Sequence, residues 1–207
     1  MMLVSLISYI DRNTLALLAP TILKETRLTA EEYGWIISGF SVLYMLANPF
    51  WGRTLDKVGL PLGMTLAVSF WTLASAAHAW ASGFWSFAIA RAALGFGEGA
   101  TFPGGLRAVA QSLPVHQQAR GIAVAYSGGS LGAIVTPLIM TPVFLLWGWR
   151  AAFLFTGIIG AAWLTLWLFV CRRQDVRHRG VPLDSKGPPP AALRFTDPPV
   201  WGLILSY

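Results

Sequence analysis

Four charged residues stand inside apolar sequence, and their types and spacing define what the chain can do. Asp11 and Arg12 interrupt an apolar stretch near the N-terminus, and Arg91 and Glu98 interrupt a later one. In the middle of a membrane helix each such charge costs about 2.5–3.5 kcal/mol, whereas a Leu or Phe returns about 0.3–0.6 kcal/mol. The stretch that holds Arg91 and Glu98 is rich in Gly and Ala, so neighbours or a water-filled cavity must shelter it. Arg91 and Glu98 are seven positions apart and share one helical face, about 10 Å apart along the axis, too far for a direct pair in an unbent helix. Asp11 and Arg12 are adjacent and point about 100° apart, toward different neighbours. Carboxylates and guanidinium groups in such places bind ions, protons or charged substrates. The bland alternative is a set of buried ion pairs that only fix helix register, which would stabilise little.

The elements that must carry these residues are apolar helices. Of the 207 residues, 55% are hydrophobic and only 12% charged, with a mean hydropathy of +0.58, too little charge to cover a soluble domain. A spanning helix takes about 20 apolar residues. Six stretches are expected to span, at about 2–23, 33–51, 60–81, 84–106, 121–146 and 151–171. The fold class is therefore an all-α integral membrane protein. Residues 1–171 form a six-helix bundle, 172–199 a basic, proline-rich cytoplasmic linker, and 200–207 the start of a truncated seventh helix. Gly95, Gly99, Gly128, Gly129 and Gly132 are expected to let backbones approach closely. Trp80, Trp85, Trp147 and Trp149 are expected to anchor the outer membrane interface.

Loop charge sets the orientation. Arg53, Lys57, Arg107, Arg120, Arg172, Arg173, Arg177, Arg179, Lys186 and Arg194 fall on one side, against Lys24, Arg27 and Arg150 on the other. By the positive-inside rule the N-terminus and the linker face the cytoplasm. Split three plus three, the six stretches place Asp11 and Arg12 on the first helix of one triplet and Arg91 and Glu98 on the first of the next. Transporters built from such repeats hold substrate and ions at the repeat interface near the midplane.

Other function classes find little support. The net charge of +6 sits at helix ends rather than on one soluble face, which argues against nucleic acid. Cys171 is the single cysteine, so no intrachain disulfide can form, and it reads as an inert apolar residue. His78, His116 and His178 are scattered toward helix ends and loops, where structural or solvated roles are expected, and they make no metal cluster. No nucleophile–base motif supports an enzyme. The opening residues lack the basic start and cleavage pattern of a signal peptide.

The segment Gly52-Arg53-Thr54-Leu55-Asp56-Lys57-Val58-Gly59, expected as an inner loop, resembles the G-x-x-x-D-[RK]-x-G signature of the major facilitator superfamily. Leu60 and Pro61 stand where the family continues with basic residues. Tyr9-Ile10-Asp11-Arg12, Tyr44 and Arg91-Ala92-Ala93-Leu94-Gly95-Phe96-Gly97-Glu98-Gly99 are similar to the anion:cation symporter branch. So are the stretches Gly128–Ala133 and Trp147–Phe153, which look like those of hexuronate and galactonate importers.

The resemblance implies import of a sugar acid with protons by alternating access, with no cofactor beyond the coupling proton. It matches Asp11 and Glu98 to proton-binding carboxylates and Arg12 to the arginine that receives the substrate carboxylate. Arg91 matches the partner of the helix-four glutamate, and Tyr9 and Tyr44 match aromatic hydroxyls lining the sugar site. Gly52, Asp56, Lys57 and Gly59 match the conformational gate. Gly129 stands where the galactonate importers carry a glutamine, which favours a hexuronate-like or other sugar acid over galactonate. The expected partners are a small organic anion, protons and the lipid bilayer, in a monomer of the bacterial inner membrane. The alternatives are another monocarboxylate or organic anion in the same fold, or an inactive, truncated or dimerising six-helix protein.

Overall fold

A computed structural model describes residues 1–172. The expected linker at 172–199 and helix opening at 200–207 lie outside the described residues, apart from Arg172. Among the described residues the regular structure is helical: α1 (Met2–Thr26), α2 (Ala30–Val58), α3 (Leu60–Ala77), a 3-10 turn (His78–Trp80), α4 (Phe84–Glu98), α5 (Thr101–Ser112) and α6 (Val115–Arg172). Three elements are long and apolar enough to cross a membrane: Met2–Thr26, Leu60–Trp80 and Val115–Arg172.

The division into helices departs from the six expected stretches in three places. The fourth stretch is two helices, because Pro103 has no N–H to offer the carbonyl of Gly99 and its ring crowds that turn. The chain turns at Gly99 and Ala100, where the Ala100 N–H reaches the Gly97 carbonyl at 3.3 Å. The fifth and sixth stretches are two helices that meet directly at a kink, with Gly148 at φ 81° and ψ 173° between them and no further loop, and they are labelled together as α6. Straight, it would run about 87 Å, nearly three times a bilayer core, so a turn there is obligatory. Finally, Gly52 to Val58 is not a loop but the last turns of α2. Hydropathy marks where the membrane ends, while the helix continues past it.

Local signals explain the other ends. Thr29 and Glu32 cap α2 reciprocally: the Glu32 N–H donates to Thr29 Oγ1 at 3.1 Å and the Thr29 N–H to Glu32 Oε2 at 2.8 Å. Gly59, at φ 84°, is the single residue between α2 and α3, and Pro61 follows in the first turn of α3.

In the bundle α1 packs on α6, α2 on α4, and α3 between α4 and α6. One apolar cluster gathers Trp51, Met64, Trp71, Leu94 and Trp163, and a second gathers Ile10, Leu18, Phe87, Met140 and Phe153. The close approaches depend on missing side chains. A Cβ on Gly132 would lie 2.6 Å from the Leu6 carbonyl oxygen, and one on Gly95 would strike the Phe40 carbonyl. Leu73, Ile89, Leu138 and Leu145 point outward, as lipid contact requires. Trp80, Trp85 and Trp147 are also exposed, but Trp149 is buried against Phe87 and Phe153, and its indole N–H donates to Glu25 Oε2 at 2.6 Å.

Candidate functional site

The intramembrane charges meet between α1, α3 and α4. Asp11 and Arg91 are each 2% exposed and Glu98 is fully buried, while the Arg12 side chain keeps 27% exposure. Arg12 Nε donates to Glu98 Oε2 at 2.8 Å, and Ser8 Oγ donates to the same oxygen at 2.8 Å. Glu98 Oε1 has no hydrogen-bond partner. The helical spacing of Ser8 and Arg12, one turn apart on α1, aims both at one carboxylate.

Asp11 faces the other way. Its Oδ1 accepts from Ser75 Oγ at 2.7 Å, and Ser75 Oγ also meets Thr156 Oγ1 at 2.7 Å. The two carboxylates thus belong to separate networks, one backed by α3 and α6 and the other held by α1 alone.

Arg91 makes no ion pair with Glu98, as their distance along one helix demands. Its Nη2 donates instead to the backbone carbonyl of Arg12 at 3.2 Å. The arginine bound to Glu98 is Arg12, where the resemblance placed Arg91.

Aromatic faces enclose Arg12. Its guanidinium carbon lies 4.4 Å from the ring centre of Tyr44, 4.9 Å from Phe40 and 5.3 Å from Tyr9. Such faces hold a cation without taking its N–H donors, so the fork stays available for an anion. Tyr9 in turn packs on α6 at Gly129, where an added Cβ would come within 2.7 Å of its ring. The described groove of about 520 Å³, between the start of α1 and the α5–α6 junction, contains none of these residues.

The gate residues form a second constellation at the far end of α2. Asp56 pairs with Arg107 of α5, while Lys57 is exposed. Gly52 faces Pro103, with 3.9 Å from a built Cβ to the Pro103 Cβ.

Ser8, Ser75, Thr156, Phe40 and Arg107 join these networks without having been marked as site residues. Hydroxyls are common in membrane helices, and nothing in their spacing set Ser8 or Ser75 apart. Arg107 is a loop charge by sequence, although it pairs with Asp56 between α5 and α2. Among the described residues there is no group of three or more metal-ligating side chains.

The family model described as Major Facilitator Superfamily matches residues 1–207. The chain belongs to this superfamily. It is 32% identical over 177 residues to a hexuronate transporter of Escherichia coli K12, covering 84% of this chain and 40% of that one. A galacturonate transporter of Dickeya chrysanthemi is 31% identical, covering 80% and 48% respectively. A probable L-galactonate transporter of E. coli K12 is 29% identical over 83% of this chain and 38% of its own length. The chain therefore spans less than half the length of the curated relatives it matches. Among solved structures, the bacterial homolog of the human lysosomal transporter Spinster, inward-facing and occupied, superposes with a TM-score of 0.72 at 18% identity. That match covers 83% of this chain and 43% of the other, and shows the fold alone. The relatives that this superfamily member matches are transporters and not enzymes, and the described residues of this chain carry helices and no strand.

Proposed function

We propose that the chain is the N-terminal, six-helix half of a proton-coupled symporter that imports a sugar acid of the hexuronate or aldonate type. The observation that carries this reading is the Arg12–Glu98 pair. A guanidinium matches a carboxylate through two parallel hydrogen bonds, so a sugar-acid carboxylate at Arg12 competes directly with Glu98. Once Arg12 turns to the substrate, Glu98 is a fully buried anion with Ser8 as its remaining donor. A proton removes that cost, so binding of the anion and protonation of Glu98 favour each other.

Asp11, held by Ser75, is the second proton site, and Arg91 holds the α1 backbone at the Arg12 carbonyl so that both residues stay in place. Tyr9 and Tyr44 line the approach to Arg12 and offer hydroxyls to the sugar. The Asp56–Arg107 contact serves as the cytoplasmic gate in alternating access. The three-plus-three repeat, the cytoplasmic N-terminus and linker, and the bacterial inner membrane complete the reading. The relatives' sugar-acid cargoes support this substrate class. A different organic anion is the second reading, favoured by the generic fit of a guanidinium to any carboxylate.

The test is uptake of labelled galacturonate into proteoliposomes holding the whole gene product. Uptake should rise with an inward proton gradient. Equal uptake with and without the gradient would remove the coupling, and no uptake of any hexuronate or aldonate would remove the cargo.

A further inference from the structure

Asp11 belongs to a row of oxygen atoms that crosses three helices, and the hydrogens in that row can be counted. Asp11 of α1, Ser75 of α3 and Thr156 of α6 are each at most 2% exposed, so bulk solvent does not compete for them. Asp11 Oδ1 lies 2.7 Å from Ser75 Oγ, which lies 2.7 Å from Thr156 Oγ1. Thr156 Oγ1 in turn meets the Phe153 carbonyl oxygen at 2.8 Å. Each separation is that of an O–H···O bond with its hydrogen in place.

Three contacts need three hydrogens. A hydroxyl brings one, a carbonyl none and an ionised carboxylate none. With Asp11 ionised, Ser75 spends its hydrogen on Oδ1. Thr156 then has one hydrogen for two acceptors, Ser75 Oγ and the Phe153 carbonyl, and the contact left over sets lone pair against lone pair. A proton on Oδ1 supplies the missing hydrogen. Asp11 then donates to Ser75, Ser75 to Thr156 and Thr156 to the Phe153 carbonyl, and every contact is filled. The two hydroxyls only rotate and keep their own hydrogens, so the one O–H bond that forms is on Asp11. Among the described residues Ser75 Oγ bonds to Asp11 and Thr156 alone, so Thr156 is the acceptor left for its hydrogen.

We infer that Ser75 and Thr156 are positioning residues for a proton on Asp11, with Thr156 holding it there by accepting the hydrogen that Ser75 turns away. This rests on the reading of Asp11 as a proton site and is independent of which anion is carried. The charged groups that act on Asp11 from α4 are Arg91 and Glu98, and Arg12 beside it on α1 is taken up by Glu98. His78, three positions beyond Ser75, turns its Nδ1 to the Ala74 carbonyl. From α6 come the uncharged Thr156 and Phe153.

The test is carbon NMR of the whole gene product in lipid nanodiscs, with aspartate labelled at the carboxyl carbon and titrated with pH. The Asp11 signal is the one that Asp11→Asn removes. Thr156→Val keeps the side-chain shape and deletes the acceptor. Half-protonation of Asp11 should then need about a tenfold higher proton concentration, the equivalent of one net hydrogen bond. Thr156→Ala makes the same deletion in less space, should the valine disturb the fold. Thr156→Ser should titrate as the native chain does. In a Ser75→Ala background Thr156→Val should have no further effect, because Thr156 acts through Ser75. A native midpoint in Thr156→Val, a shifted one in Thr156→Ser, or a full tenfold change in the Ser75→Ala background overturns the inference while Asp11 stays a proton site. An Asp11 signal that never titrates overturns both.

Discussion

Arg12 on α1 and Glu98 on α4 are joined through a single carboxylate oxygen at 2.8 Å, and the second oxygen of Glu98 has no partner. An arginine fork can grip both oxygens of a carboxylate, and here it does not. The pair is therefore weaker than the geometry of its partners allows, while still neutralising a fully buried charge. On the proposed function this is the contact that the substrate carboxylate replaces. In that function the same exchange leaves the buried carboxylate in need of a proton, which would tie the two events together.

Glu98→Gln keeps the shape and the hydrogen bond from Ser8 but removes the charge that competes for Arg12. We expect galacturonate to bind at least as tightly, and labelled substrate to exchange across the membrane. Proton-driven accumulation should fall by about a hundredfold or more. Measuring exchange and gradient-driven uptake on the same vesicles separates the two. Loss of both together would place Glu98 in the structure rather than in the coupling.

Arg12→Lys tests the anion site. Lysine keeps the positive charge but loses the planar fork and its stacking between Tyr44 and Phe40. Exchanging a bidentate charge-assisted contact for a point charge should raise the Kd for galacturonate by about tenfold to a hundredfold. Calorimetry on the detergent-solubilised protein reads this directly, and an unchanged Kd would move the carboxylate elsewhere.

Much of this site was legible because charge in an apolar helix is rare and costly. Asp11, Arg12, Arg91 and Glu98 announced themselves by type, and seven-residue spacing on one helix ruled out an Arg91–Glu98 pair. Which arginine meets Glu98 was not legible, because that depends on how α1 rotates against α4, and rotation is set by packing at glycines such as Gly95. Helix ends were misplaced for a related reason. Apolar composition reports immersion, so the charged tail of α2 read as loop, and 84–106 read as one stretch across the break that Pro103 causes. Trp149 lies near exposed tryptophans in sequence, and its packing on Phe87 and Phe153 with the indole N–H on Glu25 distinguishes it.

Gly132→Val tests the packing of α1 on α6. A Cβ at position 132 would lie 2.6 Å from the Leu6 carbonyl oxygen and 2.8 Å from the Tyr9 Cβ, and backbone yields poorly. Overpacking of this kind costs about 1–3 kcal/mol. A lowered melting temperature in detergent is expected, together with weaker substrate binding, because Tyr9 must move. A variant with unchanged stability would mean that α1 can slide freely on α6.

Glu25 offers a test at the opposite end of α1, where two substitutions should separate two contributions. The Trp149 indole donates to Glu25 Oε2 at 2.6 Å, and Arg150 approaches the same oxygen at 3.6 Å. The Arg150 and Glu25 side chains are 53% and 50% exposed, so their attraction is worth about 0–1 kcal/mol. Trp149 is only 2% exposed, and an unpaired buried N–H costs about 1–3 kcal/mol. Glu25→Gln retains an acceptor for the indole and loses only the ion pair, so its stability should stay near that of the native chain. Glu25→Ala leaves the indole without an acceptor and should be the clearly less stable of the two. Equal losses in thermal unfolding would mean that the charge, and not the hydrogen bond, ties α1 to the helix beyond Gly148.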